Sequence, residues 1–134
     1  MRTSLRKTVL IAVAAAAAFG TSAMAQPSTK PAPQCFYSQD WDGAWKAAPD
    51  SKSIYIHVGV NKTYRIGFAH ACSQLQSPTT RLITHVPGGS TICSSADLDL
   101  SVSDGDSPAA GCIVSDVTPL SPAEAASLPK NLKP

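Results

Sequence analysis

Four cysteines, Cys35, Cys72, Cys93 and Cys112, constrain what this chain can fold into more than any other feature. They lie 37, 21 and 19 residues apart with no Cys-x-x-Cys among them, a spacing that suits neither a zinc ribbon nor a dithiol redox pair. What four such thiols become depends on the compartment, and the first twenty-five residues point to one. Arg2, Arg6 and Lys7 form a cationic start, Val9 to Phe19 is an apolar run rich in alanine, and Ala23-Met24-Ala25 is a small-x-small cleavage box. Together these read as a secretory signal peptide over residues 1–25, with cleavage after Ala25. The mature protein is therefore expected to be periplasmic or secreted, where oxidation turns four thiols into two disulfides. No later stretch approaches the roughly 18 apolar residues of a spanning helix, so no membrane span is expected.

Removing the leader changes the electrostatics. The net charge of +2 includes Arg2, Arg6 and Lys7; without them, eight Lys and Arg face nine Asp and Glu. A near-neutral chain with no cationic stripe lacks the charge pattern that drives binding to nucleic acid, so that partner is not expected. Both methionines leave with the leader, and with them any Met-rich adaptable surface.

Residues 26–34 (QPSTKPAPQ) carry three prolines among polar side chains and read as a flexible lead-in. Residues 35–130 remain for one β-rich domain, a size at which covalent staples commonly supplement a modest core. In SIYIHVGV, Ile54, Ile56, Val58 and Val60 alternate with Tyr55, His57 and Gly59; in TYRIGFAH, Tyr64, Ile66 and Phe68 alternate with Arg65, Gly67 and Ala69. Such period-2 patterns predict two half-buried strands. A two-residue loop at Asn61-Lys62 would set Val58 against Arg65 and send the two apolar sets to opposite faces. An odd-length loop, of three residues or running from Gly59 to Thr63, pairs Val58 with Ile66 or Tyr64 and joins the sets on one face. Asn61 is the expected residue at positive φ.

Further strands are expected at Asp40 to Trp45, Arg81 to Val86, Leu98 to Val102 and Cys112 to Val117. Ser121-Pro122-Ala123-Glu124 is a capping box with proline at the first helical position, and Pro129 ends the helix it starts. The expected fold is thus mainly β: a single small antiparallel sheet or barrel of five to six strands with one short C-terminal helix and two disulfides. A hairpin from Leu98–Val102 to Cys112–Val117 would hold Cys93 and Cys112 at opposite ends, beyond the roughly 7 Å between Cα atoms that a bridge allows. That disfavours Cys93 with Cys112. Of the remaining pairings, Cys72 with Cys93 nested inside Cys35 with Cys112 is preferred.

The order Cys35-Phe36, Gly59-x-x-x-x-Tyr64-Arg65, Cys72, Ile92-Cys93, Cys112-x-Val114 and Leu120-Ser121-Pro122-x-Glu124 resembles a family of small exported proteobacterial proteins with four cysteines, classed as a domain of unknown function. The resemblance covers nearly all of the mature chain. It implies export and a compact fold, and it implies no activity.

Candidate chemistry is sparse. His57, His70 and His85 are possible metal ligands, but the strand alternation collects them on no single face, so solvated or hydrogen-bonded histidines are expected. Asp97, Asp99, Asp104 and Asp106 form two Asp-x-Asp pairs without EF-hand spacing or a distal glutamate and read as strand-face and turn residues. No Gly-x-Ser-x-Gly elbow is present and the sole glutamate is placed in a helix cap, so no catalytic residue, cofactor or metal is assigned and the protein is not expected to be an enzyme. Trp41 and Trp45 are read as core. The outward face formed by Tyr55, His57 and Arg65 is the candidate contact face, because an aromatic, a titratable ring and a guanidinium on adjacent strands can grip an anion or a carbonyl.

The expected function is a non-enzymatic binding or structural module of the cell envelope, partnered by a protein or small molecule there. The alternative is a small periplasmic hydrolase inhibitor acting through the Pro87 to Thr91 loop, or a metal-binding protein acting through its histidines. Intact mass spectrometry of the exported protein should find Gln26 at the amino terminus and a mass lower by four hydrogens than the fully reduced chain.

Overall fold

Strand parity organises the architecture. The computed structural model describes residues 34–105 and 107–134; the expected signal peptide, all of the expected lead-in except Gln34, and Asp106 lie outside the described residues. Among those described, nine strands and one helix form: β1 (Phe36–Tyr37), β2 (Trp41–Ala47), β3 (Ser53–Val58), β4 (Lys62–Phe68), β5 (Thr80–His85), β6 (Thr91–Ile92), β7 (Asp99–Asp104), β8 (Ala110–Cys112), β9 (Val114–Pro119) and α1 (Pro122–Ser127). The fold is mainly β, antiparallel throughout, with one short helix and two disulfides, as expected. Its strands divide among three sheets of order β1-β6, β2-β3-β4-β9 and β5-β7-β8.

In the β3–β4 hairpin, Ile54 lies opposite Ile66 and Ile56 opposite Tyr64. Ile54, Ile56, Val58, Tyr64, Ile66 and Phe68 are all buried on one face. The loop has the odd length that the alternation requires and three residues, 59–61, but it lies earlier in the chain than expected and sets Val58 opposite Lys62 rather than Tyr64 or Ile66. This slide by an even number of residues preserves parity, which is the property that burial enforces. Gly59, at φ 62°, takes the left-handed position assigned from sequence to Asn61. Glycine adopts it without the Cβ clash that an asparagine carries.

β2 and β9 flank this hairpin. Between Trp41 (opposite Val58) and Trp45 (opposite Ile56), β2 bulges, and Gly43 at φ 85° turns the extra residues. Both tryptophans therefore return to the core side, where they are half-buried against the core. The expected strand from Cys112 to Val117 divides at Ile113. Its first part, β8, pairs with β7, while β9 crosses to pair with β4. The inner faces of both larger sheets meet in one core, with Leu100 and Val102 from β7 and Phe36 and Ile92 from β1 and β6 completing it.

Both disulfides differ in partner from the preferred pairing. Cys35 bonds Cys93 and Cys72 bonds Cys112, so the loops interleave rather than nest. β1 pairs antiparallel with β6, Phe36 opposite Ile92, and the next step of that ladder brings Cys35 to Cys93 with Cα atoms 4.2 Å apart. Cys112 in β8 is tied to the end of β4 because the Ala69 amide donates to the Ile113 carbonyl at 2.9 Å, which brings Cys72 within 5.8 Å. The Cys72 amide in turn donates to the Ser51 carbonyl at 2.8 Å; Ser51 is buried with φ 57°, and its hydroxyl accepts from Gln76 Nε2. Closing loops of 58 and 40 residues lowers the entropy of the unfolded chain by an equivalent of about 4 kcal/mol for each bond taken alone.

The closing helix starts as the capping box requires. Ser121 Oγ accepts the Glu124 amide at 3.2 Å, and Glu124 Oε2 accepts the Ser121 amide at 2.7 Å. α1 leans on β4, and the 3-10 turn Lys130–Leu132 that follows touches β2.

Tyr64 is the largest fully buried side chain among the described residues. Its ring packs against Phe36 with centroids 4.6 Å apart, and its hydroxyl has no hydrogen-bond partner among the described residues. Burial pushes the phenol above its ordinary value. A buried hydroxyl without a partner costs stability, so Tyr64→Phe should keep the fold and raise stability by up to about 1 kcal/mol, whereas Tyr64→Ala should cost about 3–5 kcal/mol. Urea unfolding midpoints check both.

Candidate functional site

The parity that buries Ile54, Ile56, Val58, Tyr64, Ile66 and Phe68 turns Tyr55, His57 and Arg65 outward together. Tyr55 lies directly opposite Arg65, and His57, opposite Thr63, is diagonal to Arg65 on the same face. The neighbouring strands extend the row, with Lys46 of β2 opposite Tyr55 and Thr118 of β9 opposite Arg65. Lys46, Tyr55, Arg65 and Thr118 thus form one line across all four strands, a tyrosine between two cations.

Arg65 is held by Asp116, Nη1 to Oδ1 at 3.0 Å, with both side chains about two-fifths exposed. Ser115 Oγ and Thr118 Oγ1 also donate to the Asp116 carboxylate. Gly67 makes room for this arrangement: a Cβ there would lie 2.1 Å from Asp116 Oδ2. An ion pair this exposed contributes about 0–1 kcal/mol, so its effect is to orient the guanidinium rather than to hold the sheet.

His57 is similarly fixed. Nδ1 lies 3.0 Å from Asp42 Oδ2 and Nε2 lies 3.3 Å from the Val60 carbonyl. Both partners are acceptors; a neutral imidazole, with one N–H, serves one of them, and the imidazolium serves both. Asp42 Oδ1 accepts the Ala44 amide at 2.8 Å, and the Trp41 indole donates to the Ala44 carbonyl at 3.0 Å. One imidazole therefore joins the β2 bulge to the β3–β4 turn.

The remaining sequence candidates are dispersed. His70 follows β4 and His85 ends β5, on a different sheet from His57. Asp97 closes a turn, Asp99 lies opposite His85, and Asp104 accepts from the Thr79 hydroxyl; Asp106 lies outside the described residues. Among the described residues, no three of His, Cys, Asp and Glu gather where they could share a metal ion. A hollow of about 430 Å³ beside the β3–β4 turn has Thr63, Pro119 and Glu124 on its walls, and Glu124 is already engaged in the helix cap. No protein-family model, curated protein or solved structure matches this chain.

Lys46, Asp42 and Asp116 escaped the sequence reading of this face, and Gly67 was placed on it without a role. The two aspartates sit in segments whose exit from simple alternation, a bulge and a strand crossing, has no periodic signal. Gly67 looks like an ordinary outward position in the pattern.

Among the described residues, three carboxyls are held below their ordinary range: Asp42 by the Ala44 amide and then His57, Asp97 by the Cys93 amide and the Ser94 hydroxyl and amide, and Glu124 by the Ser121 amide and hydroxyl. A carboxyl with a lowered folded-state value stabilises the fold above its unfolded value, near 4, and loses that contribution as pH falls through the folded value. Urea midpoints should therefore hold steady from pH 7 to about 5 and fall below about 4. Asp97→Asn should lower the midpoint at pH 7 and flatten the acid limb.

Proposed function

We propose that this protein is an exported, non-enzymatic binding or structural module of the cell envelope, periplasmic or secreted, that meets its partner through the outer face of β2-β3-β4-β9. The carrying observation is the line Lys46, Tyr55, Arg65 and Thr118, in which a tyrosine stands between two cations on paired strands. Such a line offers a flat ring for stacking and N–H donors for an anionic or carbonyl group of the partner. Asp116 and Asp42 orient Arg65 and His57 beforehand, which reduces the entropy lost on contact. Two disulfides support the same reading, because oxidised thiols persist in exported proteins. The described residues contain no helix long and apolar enough to cross a membrane.

A photo-crosslinking amino acid in place of Tyr55, compared with the same group in place of the exposed Ser127 on α1, tests the face in the intact envelope. A defined product should form from position 55 alone, and Arg65→Ala should reduce its yield several-fold. Identical products from both positions, or a stoichiometric metal ion retained by the purified protein, would overturn the proposal.

A further inference from the structure

The edges of the three sheets are unequally protected. Native proteins blunt exposed sheet edges with bulges, prolines, short strands or covering elements, because unpaired backbone groups recruit another strand. β2 carries the bulge between Trp41 and Trp45 and is touched by the Lys130–Leu132 turn. β9 has a register irregularity opposite Gly67 and Phe68 and ends at Pro119. β8 has three residues, and β1 and β6 have two each.

β5 is different. It runs for six residues in unbroken register against β7, from Thr80 opposite Asp104 to His85 opposite Asp99. The strand contains no proline, glycine or bulge, and three of its residues are β-branched. Its start is anchored by the Thr80 hydroxyl donating to the Gln74 carbonyl, while Arg81, Ile83, Thr84 and His85 are all exposed. Ile83 is 48 % exposed in the middle of its outward face.

We propose that β5 pairs antiparallel with β5 of a second copy of this chain, about a two-fold axis at Ile83, to form one continuous six-stranded sheet. The sequence of the strand selects both partner and register. Continuity of inner and outer faces requires residues of the same parity to be opposed. Centring on Ile83 sets the exposed isoleucines of the two copies against each other, whereas centring on Leu82 would oppose each Ile83 to an Arg81. In the chosen register, Arg81 of one copy lies opposite His85 of the other, and His85 already lies opposite Asp99 in its own sheet. A row of acid, imidazole and guanidinium then crosses the junction at each end, with no like-charged Arg81 pair. The contact is isologous, so it closes at two copies and leaves no new edge to grow a fibre. It is also small, well short of the 1,200–2,000 Å² of a typical stable interface, so association on the order of 100 μM is expected.

Sedimentation equilibrium of the oxidised protein from about 10 μM to 1 mM tests the pairing. A monomer–dimer equilibrium is expected. Ile83→Lys, which adds an edge charge at an exposed position, should weaken it at least about tenfold. Ile113→Lys, at a residue 67 % exposed outside β5, should leave it unchanged and controls for general loss of apolar surface. Isotope-filtered NOEs between Ile83 methyl groups of labelled and unlabelled copies should appear in the dimer. Monomer alone up to 1 mM, a dimer indifferent to Ile83→Lys, or a monomer that instead binds an added extended peptide along β5 would each overturn the proposal.

Discussion

The parity of the β3–β4 hairpin is the constraint from which the rest of the structure follows. With Ile56 opposite Tyr64 and Ile54 opposite Ile66, every large apolar side chain of the two strands lies on one face. A slip by one residue would expose all six and bury Tyr55, His57 and Arg65 instead. The core and the polar outer face are thus two results of one register, and each enforces the other. A charged face that cannot be buried holds the apolar face inward as firmly as the apolar face holds itself.

The second constraint is covalent. β1 and β6 have two residues each, too few to persist as an isolated ribbon. The bond between Cys35 and Cys93 prolongs their ladder by one covalent step. Asp97 reinforces the same corner by accepting from the Cys93 and Ser94 amides. The second bond lies within the core, where Cys72 and Cys112 are nearly as buried as the isoleucines around them. It joins the exit of β4 to the place where the chain leaves the smaller of the two large sheets, at Ile113.

How much of this was legible in the sequence depended on the length of each element. β3 and β4 carry six and seven residues of alternation, and their loop parity, buried face and outer triad could all be read from it. Ser121 and Glu124 announced α1 because a capping box is a local hydrogen-bond pattern. β1 and β6 leave no periodic trace, and without them nothing in the sequence distinguishes nested from interleaved disulfides. Cys93 and Cys112 are not bonded to each other, but the geometry that disfavoured the pair is not the one found: Cys112 lies opposite Leu100, near the start of β7 that follows Cys93, rather than at its far end. Ile113 was unreadable for another reason: CIVSDV alternates smoothly through a point where the backbone changes sheets. The outward face was read in part, since Tyr55, His57 and Arg65 share it. The aspartates that orient two of them come from a bulge and from a strand distant in sequence.

Interleaving has a topological consequence for a chain exposed to proteases. Cys35 and Cys93 span one stretch, Cys72 and Cys112 another, and the two overlap between 72 and 93. A single cut anywhere from 35 to 112 leaves one covalent molecule. So do two cuts, provided that they fall in different intervals among 35–72, 72–93 and 93–112. With the bonds nested, cuts in the first and third intervals would have released the middle fragment. The interleaved arrangement therefore tolerates damage at two separate loops, and a nicked chain keeps its strands close enough to re-pair.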